Sequence, residues 1–283
     1  MRSAVVGHVE WVEFARVAAV PEPGEIVQAR ETWVEPAGGG AVAAGELLRL
    51  AGDVVFFTAL GDDELGHRAE RELREFGVRV EAVYRDEPQR RCFTFVDDGG
   101  ERTIATIGAR LGPHAADPLP WHELDGVDGV YFTAGDPAAL REARRARALV
   151  ATARVLPTLA AAGVELDALV HSGSDENERY RSGDLQPPPR LVATTEGGKG
   201  GRFVVGEREG RWEPAPLPGP LVDVYGAGDC FAAGLAFALG EGRAVEEALA
   251  RAAESAARAM TRPGSPIDEV GNSGLKWGEV GDP

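Results

Sequence analysis

Lysine is nearly absent from this chain. Of 30 basic residues only Lys199 and Lys276 are lysines, and the bases face 46 acids for a formal net charge of −16. That shortage of positive charge excludes a nucleic-acid coat or a binder of anionic membrane, because both need basic surface. Cysteine is scarcer still. Cys92 and Cys230 are too far apart for a disulfide framework or a metal-ligand pattern, and they read as buried thiols of a reducing cytosol. No apolar run approaches the ~20 residues of a membrane span, and Met1 leads straight into a short strand with no signal peptide. A cytoplasmic protein, with neither membrane nor nucleic acid as partner, is expected. The Gly-x-x-x-x-Gly-Lys-Ser/Thr phosphate loop is missing too, since Gly197-Gly198-Lys199-Gly200 lacks both its spacing and its hydroxyl.

What is present is an alternating pattern. The 283 residues, 43% of them hydrophobic, suffice for one large α/β domain with a small addition. Strands are predicted at 4–9, 54–59, 78–84, 129–133, 154–156, 168–171 and 191–195. Helices are predicted at 40–51, 64–76, 227–239 and 245–260, with Gly77 closing the second. Strand followed by helix, repeated, implies a mostly parallel sheet with helices on both faces. Two segments break the rhythm. Residues 25–35 alternate in part, and residues 91–107 read as a hairpin turning at Asp97-Asp98-Gly99-Gly100. Inserted strands of this kind suggest a small separate sheet, placed as a lid over a site on the main one. Beyond Pro263 the chain is rich in Gly, Pro and Asp, and a loose tail over 263–283 is expected.

The sharpest segment is Asp223-Val224-Tyr225-Gly226-Ala227-Gly228-Asp229, which leads directly into an apolar helix. Gly226, Ala227 and Gly228 let backbone N–H groups approach a ligand, and the helix start adds partial positive charge without a lysine. Asp229 then stands in the first turn, beside the place an anion would occupy. A carboxylate that accepts a hydroxyl proton next to backbone donors that stabilise a phosphate suits phosphoryl transfer.

Asp223-x-x-Gly226-Ala227-Gly228-Asp229 resembles the C-terminal signature of the ribokinase-like (PfkB) family of carbohydrate and nucleoside kinases. Gly38-Gly39, Ala51-Gly52 and Leu60-Gly61-Asp62-Asp63-Glu64-Leu65-Gly66 resemble that family's N-terminal signature in order and spacing. Thr195-Glu196-Gly197-Gly198-Lys199-Gly200 resembles its Thr-x-Gly-x-x-Gly nucleotide turn, and Gly77-Val78 falls where the family has Gly-Val. The resemblance implies a ribokinase-like three-layer α/β sandwich over 1–262, with a mostly parallel central sheet and a small β-sheet lid built from about 10–36 and 88–108. It implies an ATP-dependent kinase acting with Mg2+ on a hydroxyl of a sugar-like small molecule. Asp229 would be the base and Gly226, Ala227 and Gly228 the anion hole. Thr195, Gly197, Gly200 and Asp223 would lie on the nucleotide, with a monovalent-cation loop near Asp223. Gly38 and Gly39 would lie against the acceptor, and two copies would pair through their lids.

The departures bear on the acceptor. Where the family has Asn-x-Asp in its first loop this chain has His8-Val9-Glu10, and where it has an asparagine four residues after Gly39 this chain has Ala43. Both changes alter which hydroxyls can be paired, so ribose itself is not the expected substrate. The family's Asn-x-x-Glu magnesium motif is replaced by Ser172-Gly173-Ser174-Asp175, which leaves Asp175 as the metal candidate and Glu178 as a second. Tyr225 is bulky for its position and is expected to narrow the anion hole. Trp11 and Trp33 could face a sugar or a base, or pack within the lid. The acidic net charge favours a neutral polyol over an acceptor that already carries phosphate. A nucleoside kinase of the same fold stays open, as does a kinase-fold protein that binds ligand with little catalysis. A dinucleotide-binding oxidoreductase finds only a loose match at Gly38-Gly39-Gly40, and Pro36 is expected to break any strand before it.

Overall fold

The computed structural model describes residues 1–265. Among these residues thirteen strands and six α-helices follow one another. They are β1 (Ser3–Val6), β2 (Glu10–Arg16), β3 (Glu31–Ala37), α1 (Gly38–Ala51), β4 (Val54–Gly61), α2 (Glu64–Phe76) and β5 (Arg79–Arg85). Then come β6 (Arg91–Val96), β7 (Arg102–Ile107), β8 (Gly129–Phe132), α3 (Pro137–Ala143), β9 (Ala148–Thr152), α4 (Leu156–Ala162) and β10 (Ala168–Ser172). The last are β11 (Leu191–Thr195), β12 (Gly201–Val205), β13 (Arg208–Trp212), α5 (Ala227–Gly240) and α6 (Val245–Ala259).

Nine strands form one sheet in the order β13-β12-β11-β10-β9-β8-β1-β4-β5. The seven strands from β11 to β5 are parallel, and β12 and β13 add an antiparallel edge. Its central strands are buried on both faces, and their side chains divide by parity as a period-2 strand requires. Val5, Phe56 and Tyr131 point into a core shared with α1, α2, α5 and α6. Ala4, Val6, Phe57 and Phe132 point into a second core with α3 and α4. The result is three layers. Because β1 leads to β4 on one side while β8 lies on the other, the order of the strands reverses between β1 and β8. In open α/β sheets ligands bind at the carboxyl ends of the strands at such a point.

The other four strands form the small sheet, in the order β3-β2-β6-β7. Val12, Phe14, Cys92 and Val96 from it pack with Val42 of α1, Cys230 of α5, and Tyr225. The small sheet is thereby seated over the start of α5. Trp33 stacks on Phe14 with ring centroids 4.7 Å apart, and Trp11 is buried with the Arg68 guanidinium 4.6 Å from its ring, so both tryptophans are taken up in packing. β7 is an edge strand exposed along its whole length.

Three sequence expectations are corrected. The strand predicted at 154–156 is a turn leading into α4, and the strand of that region is β9, five residues earlier. Ala148-Leu149-Val150-Ala151-Thr152 is wholly buried, but its alanines blur the apolar signal that marks a strand. Pro36 does not end β3, which runs through it to Ala37 with Pro36 opposite Trp11. β3 is an edge strand, where a residue without an N–H is tolerated. The first strand stops at Val6, so His8 belongs to the loop beyond it. The tail expected over 263–283 lies, from residue 266 on, outside the described residues. Among the described residues no helix is long and apolar enough to cross a membrane.

Candidate active site

Since seven strands run parallel, their carboxyl ends share one rim. Gly7 and His8 follow β1, Thr133 follows β8, Arg154 lies just past β9, Ser172 ends β10 and Thr195 ends β11. The start of α5 reaches this rim from one face. Gly226 caps it with φ +70°, a conformation that favours glycine, and an added Cβ there would stand 2.7 Å from the Val42 side chain. Helix geometry leaves the first-turn N–H groups of Gly228 and Asp229 without intrahelical acceptors, while the Ala227 N–H reaches Val224 O at 3.4 Å. Gly228 is exposed, and no atom would crowd a side chain there.

Asp229 is half-buried in that first turn and accepts a 2.9 Å hydrogen bond from the Tyr131 hydroxyl of β8. Withdrawal from water pushes its carboxyl above the ordinary aspartate value, against the opposing effects of the Tyr131 hydrogen bond and the Arg154 charge. Gly39 passes directly beneath. A Cβ on Gly39 would lie 2.8 Å from the Asp229 carboxylate and 2.9 Å from the Thr133 hydroxyl, so only glycine lets α1 come this close.

The first-loop residues form a polar cluster alongside. His8 and Glu10 are both buried, with the imidazole Nε2 3.7 Å from a Glu10 carboxylate oxygen. Arg90 donates to Glu10 at 2.7 Å from its Nε, and the Cys92 thiol donates to the other carboxylate oxygen at 3.1 Å. Burial brings the His8 imidazole down to about 4, which leaves the ring neutral at pH 7. Burial would raise the Glu10 carboxyl, but the hydrogen bond from the Cys92 thiol and the charge of Arg90 draw it below its usual value. Burial pushes the Cys92 thiol up to about 12, so Cys92 acts as a donor and not as a nucleophile.

Several hydrogen bonds fix the loop before α5. The Tyr225 hydroxyl accepts the Gly38 N–H at 3.1 Å, and its ring meets Phe14 edge-on at 5.0 Å. Tyr225 therefore joins the loop to α1 and the small sheet instead of narrowing the anion hole. Asp223 is wholly buried, and its two carboxylate oxygens accept the N–H groups of Tyr225 and Gly264 at 2.8 and 2.9 Å. Its carboxylate thus braces the loop from behind. From the small sheet, the Val224 N–H reaches Gly100 O at 3.1 Å, and Arg102 donates to Val224 O at 3.3 Å.

Farther along the rim, the Thr195 hydroxyl donates to His171 O at 3.4 Å, and a short 3-10 turn, Gly197–Lys199, closes with Glu196 N–H on Gly200 O at 2.8 Å. Open space faces Gly197 and Gly198. Asp175 accepts from the Asn177 N–H at 2.9 Å and pairs with Arg154 at 3.0 Å, while Glu178 pairs with Arg154 and accepts from the Ser172 N–H at 2.9 Å. Both carboxylates proposed for a metal are thus already turned onto one guanidinium. No cluster of three or more His, Cys, Asp or Glu among the described residues is arranged for a metal ion. This donor set does not fit a protein-held magnesium ion.

His8, Glu10, Gly38, Gly39 and the Gly226–Asp229 segment are therefore brought together, with Thr195, Gly197, Gly200 and Asp175 farther along the same rim. Ala43 is buried on α1 and offers only a methyl group. Tyr131, Thr133, Arg90 and Arg154 also meet at the site but carry no sequence motif.

A pfkB family carbohydrate kinase model matches residues 2–162 and 164–269. The chain belongs to the pfkB family of carbohydrate kinases. It is a phosphotransferase with an alcohol group as acceptor. A relative from Halopiger xanaduensis described as an ATP-dependent ribose-1-phosphate kinase is 31% identical over 95% of this chain and 97% of its own. The ribokinase-like fold recurs in solved structures at 22% identity. The ribokinase of Thermotoga maritima matches with TM-score 0.72 over 94% of each chain. That of Cryptococcus neoformans, in complex with ADP, matches with TM-score 0.73 over 94% of this chain and 95% of its own.

In this pfkB protein the Tyr225–Gly38 hydrogen bond is expected to matter for stability. Tyr225→Phe leaves a buried N–H without an acceptor, so urea denaturation should register a loss of about 1–3 kcal/mol. An unchanged midpoint would contradict the bracing role given to Tyr225.

Proposed function

We propose that this protein transfers the γ-phosphate of ATP to a hydroxyl of a sugar-like small molecule, with Asp229 as general base. The observation that carries the reading is the position of Asp229. It is a carboxylate in the first turn of α5, beside the uncrowded Gly228 and over the point where the strand order reverses. ATP as donor is consistent with the name of the Halopiger relative and with ADP in the Cryptococcus ribokinase. The open turn at Gly197–Lys199 leaves room for a nucleotide on the β11 side of the rim.

In this mechanism the small sheet, anchored through Gly100 and Arg102, acts as the lid and excludes water. The acceptor hydroxyl gives its proton to Asp229, its oxygen forms the new O–P bond, and the bond to the bridging oxygen of ADP breaks. The N–H groups at the start of α5 stabilise the charge on the transferred group. Magnesium, as the usual companion of ATP, would be carried by nucleotide phosphates and water, and no step is assigned to a protein-held ion.

A sugar is favoured over a nucleoside because Trp11 and Trp33, the aromatic candidates for stacking on a base, are occupied by Arg68 and Phe14. Catalysis is favoured over ligand binding alone because the carboxylate is held by Tyr131 beside helix-start donors. Acceptors screened with ATP and magnesium, read by ADP release, test the reading. The panel should include ribose, ribose-1-phosphate, hexoses and adenosine.

Asp229→Asn is expected to keep nucleotide affinity and lose transfer by at least about 100-fold. Retained turnover would overturn the assignment of the base. The acid limb of kcat/KM should lie above the ordinary aspartate range, because burial raises Asp229 and the protonated form cannot act as base. Tyr131→Phe removes a hydrogen bond that favours the ionised carboxylate, so the limb should move to higher pH. A limb that stays in place or moves to lower pH would contradict this coupling.

A further inference from the structure

Around the site, acidic and basic side chains come closer to balance than in the whole molecule. Glu10 pairs with Arg90, and Asp175 and Glu178 share Arg154. Arg110 has no acidic partner in contact with it. It is half-buried, and no hydrogen bond or ion pair to any other described residue satisfies its guanidinium. The chain on either side fixes where it stands. Two residues before it, Gly108 O accepts from Arg90 at 3.3 Å, which ties the exit of β7 to the Glu10 cluster. Two residues after it, Gly112 packs against Gly135, where a Cβ on Gly112 would come within 3.0 Å of the Gly135 nitrogen. Gly135 lies just beyond β8 and Thr133. Arg110 therefore sits on the crossing from the small sheet to the rim, between the His8–Glu10–Arg90 cluster and the end of β8. Its charge is felt by His8 and Glu10, and it in turn feels Arg90, Glu10, Arg154 and Asp229.

A second unmet group lies in the same cluster. His8 is 4% exposed, and its Nδ1 has no hydrogen-bond partner. A guanidinium withdrawn from water beside two other arginines, and a buried imidazole nitrogen with nothing to bond, are both unfavourable unless a ligand completes them. The ligand that suits several guanidinium groups and a neutral imidazole donor is a dianion with several acceptor oxygens.

We propose that Arg110, with Arg90 and His8 beside it, binds a phosphate group that the acceptor already carries. The acceptor is then a sugar phosphate, held by its phosphate at the small sheet with a free hydroxyl at Asp229, and the product is a sugar bisphosphate. This deepens the kinase reading and rests on it. The expectation of a neutral polyol, drawn from the net charge, is set aside here because the field in a half-buried site comes from its nearest charges and not from the distant surface. Two sources could supply a phosphate to Arg110, the acceptor or the γ-phosphate of ATP, and affinity measurements separate them.

The test is calorimetric titration in the Asp229→Asn background, where turnover cannot interfere. Ribose-1-phosphate, ribose and ATP are each titrated with Arg110 intact and with Arg110→Gln. The expected result is that ribose-1-phosphate binds more tightly than ribose when Arg110 is intact. Arg110→Gln should then weaken ribose-1-phosphate about 10- to 100-fold and change ribose and ATP less than about twofold. If Arg110→Gln does not fold, Arg110→Lys keeps the charge without the fork and should show a smaller loss confined to ribose-1-phosphate. Equal loss for ATP would assign the guanidinium to the γ-phosphate and overturn the proposal. So would ribose-1-phosphate binding that is no tighter than ribose or indifferent to Arg110. Because the titration reads binding alone, these failures are distinct from failure of the kinase reading, which would appear as turnover by Asp229→Asn or silence across the acceptor panel.

Discussion

The hydrogen bond from Tyr131 to Asp229 joins the middle of the parallel sheet to the first turn of α5, and the arrangement of the site follows from it. Tyr131 is on β8, which borders the point where the sheet order reverses, and is fully buried. A buried hydroxyl needs a protein partner, so the carboxylate it meets is both its partner and its constraint. Holding Asp229 there requires α1 to pass within van der Waals distance, which restricts residue 39 to glycine. It also requires a left-handed residue at the helix cap, which favours glycine at 226. The loop before the cap is braced by Asp223 from behind and by Tyr225 from the side, while the small sheet reaches it through Gly100 and Arg102. Asp229, the start of α5 and the small sheet are therefore connected through one short segment.

The charge pattern belongs to the same design. A protein with net charge −16 can still handle phosphate when the positive charge is local. Exposed charges more than about 8 Å apart are largely screened at physiological ionic strength, whereas half-buried neighbours are not. In the proposed reading, backbone N–H groups at the start of α5 serve one phosphate and the arginines of the acceptor side answer a second. Arg154 pairs with both Asp175 and Glu178 and offsets part of their repulsion of an incoming anion.

The parts of this structure that depend on backbone shape were legible in the sequence. Gly226-Ala227-Gly228-Asp229 before an apolar helix states its own geometry, and the hairpin at 91–107 announces itself by a turn between two β-favouring runs. The parts that depend on tertiary partners were not. Tyr131 stands in an apolar run and looks like core until Asp229 is found opposite its hydroxyl. Arg110, just beyond an exposed strand, looks like a solvated arginine until the chain around it is seen to cross the rim. Tyr225 was expected to crowd the anion hole, yet a buried hydroxyl turns towards a donor, and Gly38 supplies one. β9 was misplaced because alanine carries little strand signal although burial of its whole length is complete.

The most direct test of the account is a crystal structure of the unaltered chain with a non-hydrolysable ATP analogue and ribose-1-phosphate. The account predicts the attacked hydroxyl within about 2.6–3.2 Å of the Asp229 carboxylate, in line with the γ-phosphate at the start of α5. An acceptor whose free hydroxyls all lie out of reach of Asp229, with the small sheet closed over it, would contradict the claim that Asp229 is the base.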